Sequence, residues 1–162
     1  MSIEHIDRMH QIIAAVSGFR GALVVAPGPG SDAPELAWGD AFFYYAPDGR
    51  MPERTQPYGT IVTKDYPGDT ASELDRTRRW RVNIHVDRTT FRELTGEDPR
   101  RLTQRRDYAE ADRMLPHPVY GELGWVAVVD PGEATMGLVL ELLREAHDAA
   151  RRRADRREQA TG

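Results

Sequence analysis

The chain has 162 residues, of which 40 % are hydrophobic and 30 % are charged, values typical of one globular domain. It has no cysteine, which excludes disulfides, thiolate metal sites and cysteine nucleophiles. The net charge of −4 argues against nucleic acid as a partner, since such proteins usually present a net basic surface. No apolar run approaches the roughly 20 residues of a membrane helix. The charged N-terminus does not resemble a signal peptide, so we expect a cytoplasmic protein without membrane contact.

The N-terminal half of the sequence predicts one helix followed by short strands. Apolar residues recur at helical spacing from Ile3 to Val16, and Ser2 is placed to cap that helix. Segments rich in Pro, Gly and Asp then separate short apolar runs, as turns separate strands. These runs predict strands at residues 22–26, 41–45 and 60–63.

Residues 80–86, WRVNIHV, give the clearest strand pattern in the chain. Apolar and polar residues alternate strictly, and successive side chains of a strand point to opposite faces. The four apolar side chains are therefore expected to face the core. Arg81, Asn83 and His85 would face either solvent or a cleft.

The C-terminal half predicts a short helix, a strand and a long terminal helix. Thr90 and Glu93 have the spacing of a capping box, and residues 125–129 form an apolar run. An apolar stripe at helical spacing follows, and it stops where the sequence becomes RRRADRREQATG. We therefore assign residues 1–152 to a single α+β domain and residues 153–162 to a flexible charged tail.

The order of these elements predicts the fold class. Strands joined by short turns favour an antiparallel sheet. We expect an α+β fold with an antiparallel sheet of about five or six strands. The N-terminal and C-terminal helices would pack together on one face of that sheet.

Three parts of the sequence carry a family resemblance: FFYYAPDG with YGTIVTKDYPGDT, then WRVNIHV, then LPHPVYGELGWVAVVDP. They resemble an actinobacterial family catalogued as a domain of unknown function, over a stretch running roughly from the first helix to Ala150. The helix–sheet–helix order with a late GWV strand is also similar, more distantly, to the MmcQ/YjbR-like group. That similarity implies a small α+β fold with an antiparallel sheet, in a group for which DNA binding has been suggested. Neither resemblance supplies catalytic residues.

Two histidines are the candidate catalytic residues. His85 lies on the polar face of the central strand, and His117 lies between Pro116 and Pro118 in a rigid turn. A neutral imidazole can act as a general base, a metal ligand or a hydrogen-bond partner. The alternative is structural, with His85 as a half-exposed strand residue and His117 bonded to the backbone of its turn.

Five further residues are candidates for ligand binding. Asn83 and Tyr120 would orient a ligand in a pocket on the polar face of the central strand, closed by the PHPVYG turn. Lys64 and Asp65 follow a strand, where sites often lie, although a solvated turn is the alternative. Trp125 and other aromatic residues could line an apolar pocket, although Trp125 also fits a core.

No motif for a metal or a cofactor is present. Asp65, Asp69, Asp112 and Glu122 are available, but no spacing matches a metal-binding motif. The PGPG segment lacks the GK[ST] ending of a phosphate loop, and no GxGxxG fingerprint occurs. We therefore assign neither metal nor cofactor.

The leading hypothesis is a small-molecule-binding protein. It extends to an accessory or secondary-metabolism enzyme if His85 and His117 carry out acid/base chemistry in one pocket. The alternative is a non-enzymatic binding module that uses its Arg-rich segments for nucleic acid or protein. A charge-compensated, solvated surface explains those segments better, because acidic residues accompany them. A third hypothesis is a homodimer with no chemistry of its own.

Overall fold

The computed structural model describes residues 2–161 and has one six-stranded sheet in the order β1-β2-β3-β4-β6-β5. Every neighbouring pair is antiparallel. The strands are β1 (Ala22–Val25), β2 (Ala41–Tyr45), β3 (Gly59–Val62), β4 (Arg81–His85), β5 (Leu115–Pro116) and β6 (Trp125–Val129). The helices are α1 (Ile3–Ser17), α2 (Leu74–Thr77), α3 (Arg88–Thr95) and α4 (Met136–Thr161). The predicted α+β class, with an antiparallel sheet and terminal helices, is confirmed.

The two terminal helices cover one face of the sheet. Ile12 and Val16 of α1 and Leu143 of α4 are fully buried in the same core as Val82 and Ile84 of β4. Burying each such side chain stabilises the fold by about 1.5–3 kcal/mol. The alternation of β4 therefore points its apolar residues toward the helices, as the sequence predicted.

The terminal helices do not cover the opposite face of the sheet, which carries the polar residues of β4. Asn83 pairs with Thr60 of β3 and with Ala127 of β6, and Arg81 pairs with Val62. Because side chains alternate, these residues share one face. This face positions the candidate site.

Helix α3 begins earlier than the capping-box pattern predicted. Its N-cap is Asp87, whose carboxylate accepts a hydrogen bond from the Thr90 N–H at 2.7 Å. The prediction that Thr90 caps the helix is therefore wrong. Asp is as good a cap as Thr, and its position three residues before Thr90 gives the same bond geometry. Gly96 ends the helix with φ of 77°, as expected for a glycine C-cap.

Helix α4 continues beyond the predicted domain boundary at residue 152. It runs to Thr161, so residues 153–161 are helical, and their assignment to a flexible tail stays a prediction. These residues are mostly Ala, Arg, Glu and Gln, which are strong helix formers. Whether they contribute to stability stays a prediction. Across residues 2–161, no helix combines the length and apolar content needed to cross a membrane.

Candidate functional site

The uncovered face of the sheet holds a cleft of about 640 Å³. Strands β2, β3, β4 and β6 form its floor, and the turn at 66–69 and the segment 117–123 form its walls. The exposed fractions of Val119, Tyr120 and Leu123 are 43, 50 and 68 %, so three large apolar side chains rim the opening. A concave site with an apolar rim and a few polar groups has the usual form of a small-molecule site.

Arg81 is the centre of the polar floor and is only 1 % exposed. Its guanidinium donates to both carboxylate oxygens of Asp69, at 3.0 and 2.6 Å. It also donates to Asn83 Oδ1 at 2.7 Å and to Ser72 Oγ at 3.0 Å. A buried charge is tolerated only when it is paired and hydrogen-bonded, and these contacts meet that condition.

Asp69 lies in the turn at residues 66–69 and forms the ion pair with Arg81. Its partial burial would raise the pKa of this carboxyl, but the hydrogen bonds and charge of Arg81 outweigh that effect. The net pKa of Asp69 is therefore lowered, and the carboxylate stays ionised.

His117 faces Arg81 across the floor and is surrounded by hydrogen-bond donors. Its Nδ1 accepts from the main-chain N–H groups of Val119 and Tyr120, both at 3.0 Å. Burial and the neighbouring Arg81 charge hold the pKa of His117 well below its usual range, with Asp69 opposing them. The ring is therefore neutral and carries its proton on Nε2.

This arrangement leaves the floor with more donors than acceptors. The Nε2–H of His117 lies 3.0 Å from an Arg81 nitrogen that is itself a donor. Asp69 Oδ2 is 3.8 Å from Nε2 and already accepts from Arg81. If Nδ1 carried the ring proton instead, that proton would face two main-chain N–H groups, which are also donors. Either tautomer leaves at least one donor without an acceptor.

Asn83 adds a further donor to the floor. It is 3 % exposed, and its side-chain amide donates to Thr60 Oγ1 at 3.0 Å. Its carbonyl oxygen accepts from Arg81, and the second N–H of the amide has no acceptor among the described residues. An oxygen acceptor from a bound molecule would complete this set of bonds.

His85 lies outside this cleft. Its Nε2–H donates to the Leu123 carbonyl at 3.2 Å, and its ring centroid is 5.5 Å from that of Trp125. Burial lowers the pKa of His85, Arg153 lowers it further, and the bond to Leu123 opposes both. Gly124 has φ of 90°, and a Cβ there would lie 3.1 Å from the Val86 carbonyl oxygen, so glycine suits this position beside His85.

Comparison with known proteins identifies the family. The model of a family of unknown function (DUF6194) matches residues 6–159. The chain belongs to the DUF6194 family. This confirms the resemblance to a domain-of-unknown-function family. A search of curated proteins and a search of solved structures returned no match. The likeness to the MmcQ/YjbR-like group therefore stays a prediction.

The match to DUF6194 covers all six strands and the whole cleft. Within that cleft the structure brings together four of the residues singled out from the sequence. Asn83 and His117 lie in its floor, Tyr120 lies on its rim, and Trp125 of β6 forms one side. Among residues 2–161, no group of three or more His, Asp or Glu side chains is placed to hold a metal ion.

Lys64 and Asp65 do not line the DUF6194 cleft. The Lys64 ammonium donates to Asp40 and to the Trp38 carbonyl, both at 2.9 Å. Asp65 accepts from the Leu74 N–H at 2.9 Å, at the start of α2. Both residues therefore stabilise the loops behind the cleft wall. Asp40 also accepts from the hydroxyl of Tyr66, which does line the cleft.

The sequence analysis did not predict that Arg81 and Asp69 form a pair. It also did not predict that Thr60 lies beside them on the floor of the cleft. A signal for Arg81 was present, since it shares the polar face of β4 with Asn83. No comparable signal linked Asp69, because the contact depends on how the turn at 66–69 folds back over the sheet.

Proposed function

We propose that this protein binds a small apolar molecule in the cleft, with an oxygen acceptor of that molecule placed against Asn83 and His117. The observation that carries the proposal is the surplus of donors at the floor of an apolar cleft. A buried donor without an acceptor costs about 1–3 kcal/mol. A carbonyl, carboxylate or hydroxyl oxygen would remove that cost.

In this proposal the polar groups select and orient the ligand. Arg81 and Asp69 neutralise each other, so the floor does not require a charged ligand. His117 acts as a neutral donor, because its Nδ1 lone pair is occupied by the main chain. Binding therefore follows from these contacts without acid/base chemistry, and His85 is not required.

The neutral dye N-phenyl-1-naphthylamine tests occupancy of the cleft, because its fluorescence increases in an apolar site. We expect the wild-type protein to bind the dye and Val119→Asp to weaken binding at least tenfold, by charging the apolar rim. Ile3→Asp is the matched control, because Ile3 is 79 % exposed on α1, away from the cleft. Equal dye binding by both variants would contradict the proposal.

A pair of competitors tests the acceptor. 2-Acetylnaphthalene carries a carbonyl oxygen, and 2-ethylnaphthalene has a similar shape without it. One hydrogen bond of about 1.4 kcal/mol predicts roughly tenfold tighter binding of the ketone. If both compounds displace the dye equally, the donors of the floor do not contact the ligand.

A further inference from the structure

A second groove, of about 290 Å³, adjoins the cleft and is lined by arginine. Arg54 enters it from the turn after β2, and Arg153 and Arg157 enter it from α4. Among residues 2–161, no carboxylate side chain lines this groove. We call this groove, which contains Arg54, Arg153 and Arg157, the basic groove.

Like most arginines in the described part of the chain, those of the basic groove form no ion pair, but these three all line one groove. Within residues 2–161, no carboxylate lies within 4.0 Å of any of the three. Elsewhere, the arginines that do form ion pairs are Arg8, Arg76, Arg81, Arg88, Arg106 and Arg113. The charged side chains that line the basic groove are thus all arginines.

The two arginines of α4 also repel each other. Arg153 and Arg157 are four residues apart and so lie on the same helix face, where like charges destabilise a helix. Burial lowers the pKa of Arg153, and the neighbouring Arg157, Arg156 and Arg152 lower it further. A bound anion would relieve this repulsion.

The basic groove and the cleft share part of their lining. Gln56, Pro57, Leu123 and Trp125 line both. A molecule whose apolar part occupies the cleft can therefore extend past Trp125 and place an anionic group among the arginines. Three guanidinium groups without an acid match an oxyanion that carries more than one negative charge.

We propose that the ligand of the cleft carries a phosphate group that binds in the basic groove. This inference rests on the proposed function, since the apolar part of the ligand is the molecule placed in the cleft. The ligand class is therefore a phosphorylated apolar small molecule, held at one end by the arginines and at the other by the floor.

The test compares three probes of similar shape: 1-naphthyl phosphate, 1-naphthoate and 1-naphthol. We expect calorimetry on the wild-type protein to show that the phosphate binds at least tenfold tighter than the naphthol. Arg153→Gln/Arg157→Gln should remove that advantage without changing naphthol binding. Arg151→Gln/Arg156→Gln is the matched control, because it removes the same charge from α4 outside the groove.

The outcomes separate this inference from the proposed function. Equal binding of phosphate and naphthol would overturn the phosphate site and leave the cleft proposal intact. Equal binding of naphthoate and phosphate would overturn the choice of a multiply charged group. Displacement of naphthyl phosphate by low-micromolar duplex DNA would identify a nucleic-acid surface instead. If no probe binds, both proposals fail.

Discussion

The buried Arg81–Asp69 pair gives the sharpest prediction about stability. Arg81→Met keeps most of the side-chain volume but removes the guanidinium, and so leaves Asp69, Asn83 and Ser72 without their donor. Breaking a buried pair costs about 3–5 kcal/mol. Asp69 is 16 % exposed and can gain some water, so we expect a loss near the lower limit, about 3 kcal/mol. For a chain of this length that lowers Tm by roughly 6–12 °C.

The same variant should change how stability depends on pH. In the folded wild-type protein the pKa of Asp69 is lowered, so its contribution is present above the unfolded value of about 3.9 and is lost as pH falls through the folded pKa. Without Arg81, burial alone acts on this carboxyl and raises its pKa. The difference in stability between wild type and Arg81→Met should therefore be large at pH 7 and shrink below about pH 4.

Urea denaturation followed by circular dichroism at pH 7 and pH 3.5 measures both effects. Arg113→Met is the control, because Arg113 is 61 % exposed and its pair with Glu110 should contribute no more than about 1 kcal/mol. A similar loss for both variants at pH 7 would refute the reasoning. So would a loss for Arg81→Met that does not change with pH.

Three further predictions address other parts of the fold. His117 should stay neutral from pH 5 to pH 8 with its proton on Nε2, as read from imidazole ¹⁵N shifts; a midpoint near 6.5 would show that it is exposed. Tyr58→Phe should lower the free energy of unfolding by about 1–3 kcal/mol, because it leaves the buried His147 Nδ1 without its donor at 2.9 Å; an unchanged urea midpoint would contradict this. Deleting residues 153–162 should leave Tm unchanged, because residues 153–161 are mostly exposed, and a loss of several degrees would show that this segment stabilises the fold.

The fold could be predicted because strand and turn signals in this chain are local. The alternation in residues 80–86 fixed both faces of β4, and the boundaries of β2 and β6 matched their apolar runs. Strand β5 was not predicted, since it has two residues and one of them is proline. A strand this short depends on its pairing with β6, which the local sequence does not encode.

The candidate site could be predicted only in part, because its contacts join distant segments. The alternation of β4 placed Asn83 on the uncovered face, and the Pro-flanked turn drew attention to His117. The same alternation put His85 on that face, yet Trp125 lies directly opposite it in the sheet and only Trp125 lines the cleft. The position of the cleft on this face depends on the turn at 66–69 and the segment 117–123, and the spacing of residues along one strand does not reveal it.

Two neighbouring places in this structure hold unfavourable contacts between groups of the same kind, donors at one and positive charges at the other. Side chains cap helices α1 and α3, and antiparallel pairing joins the six strands. At the floor of the cleft, donors outnumber acceptors around His117, and in the adjoining groove Arg153 and Arg157 repel each other. Folded proteins usually keep such conflicts where function requires them. Both conflicts would be relieved by oxygen atoms of a ligand, and both sites share Trp125. The proposed ligand, with acceptor oxygens at two places, would account for both conflicts together.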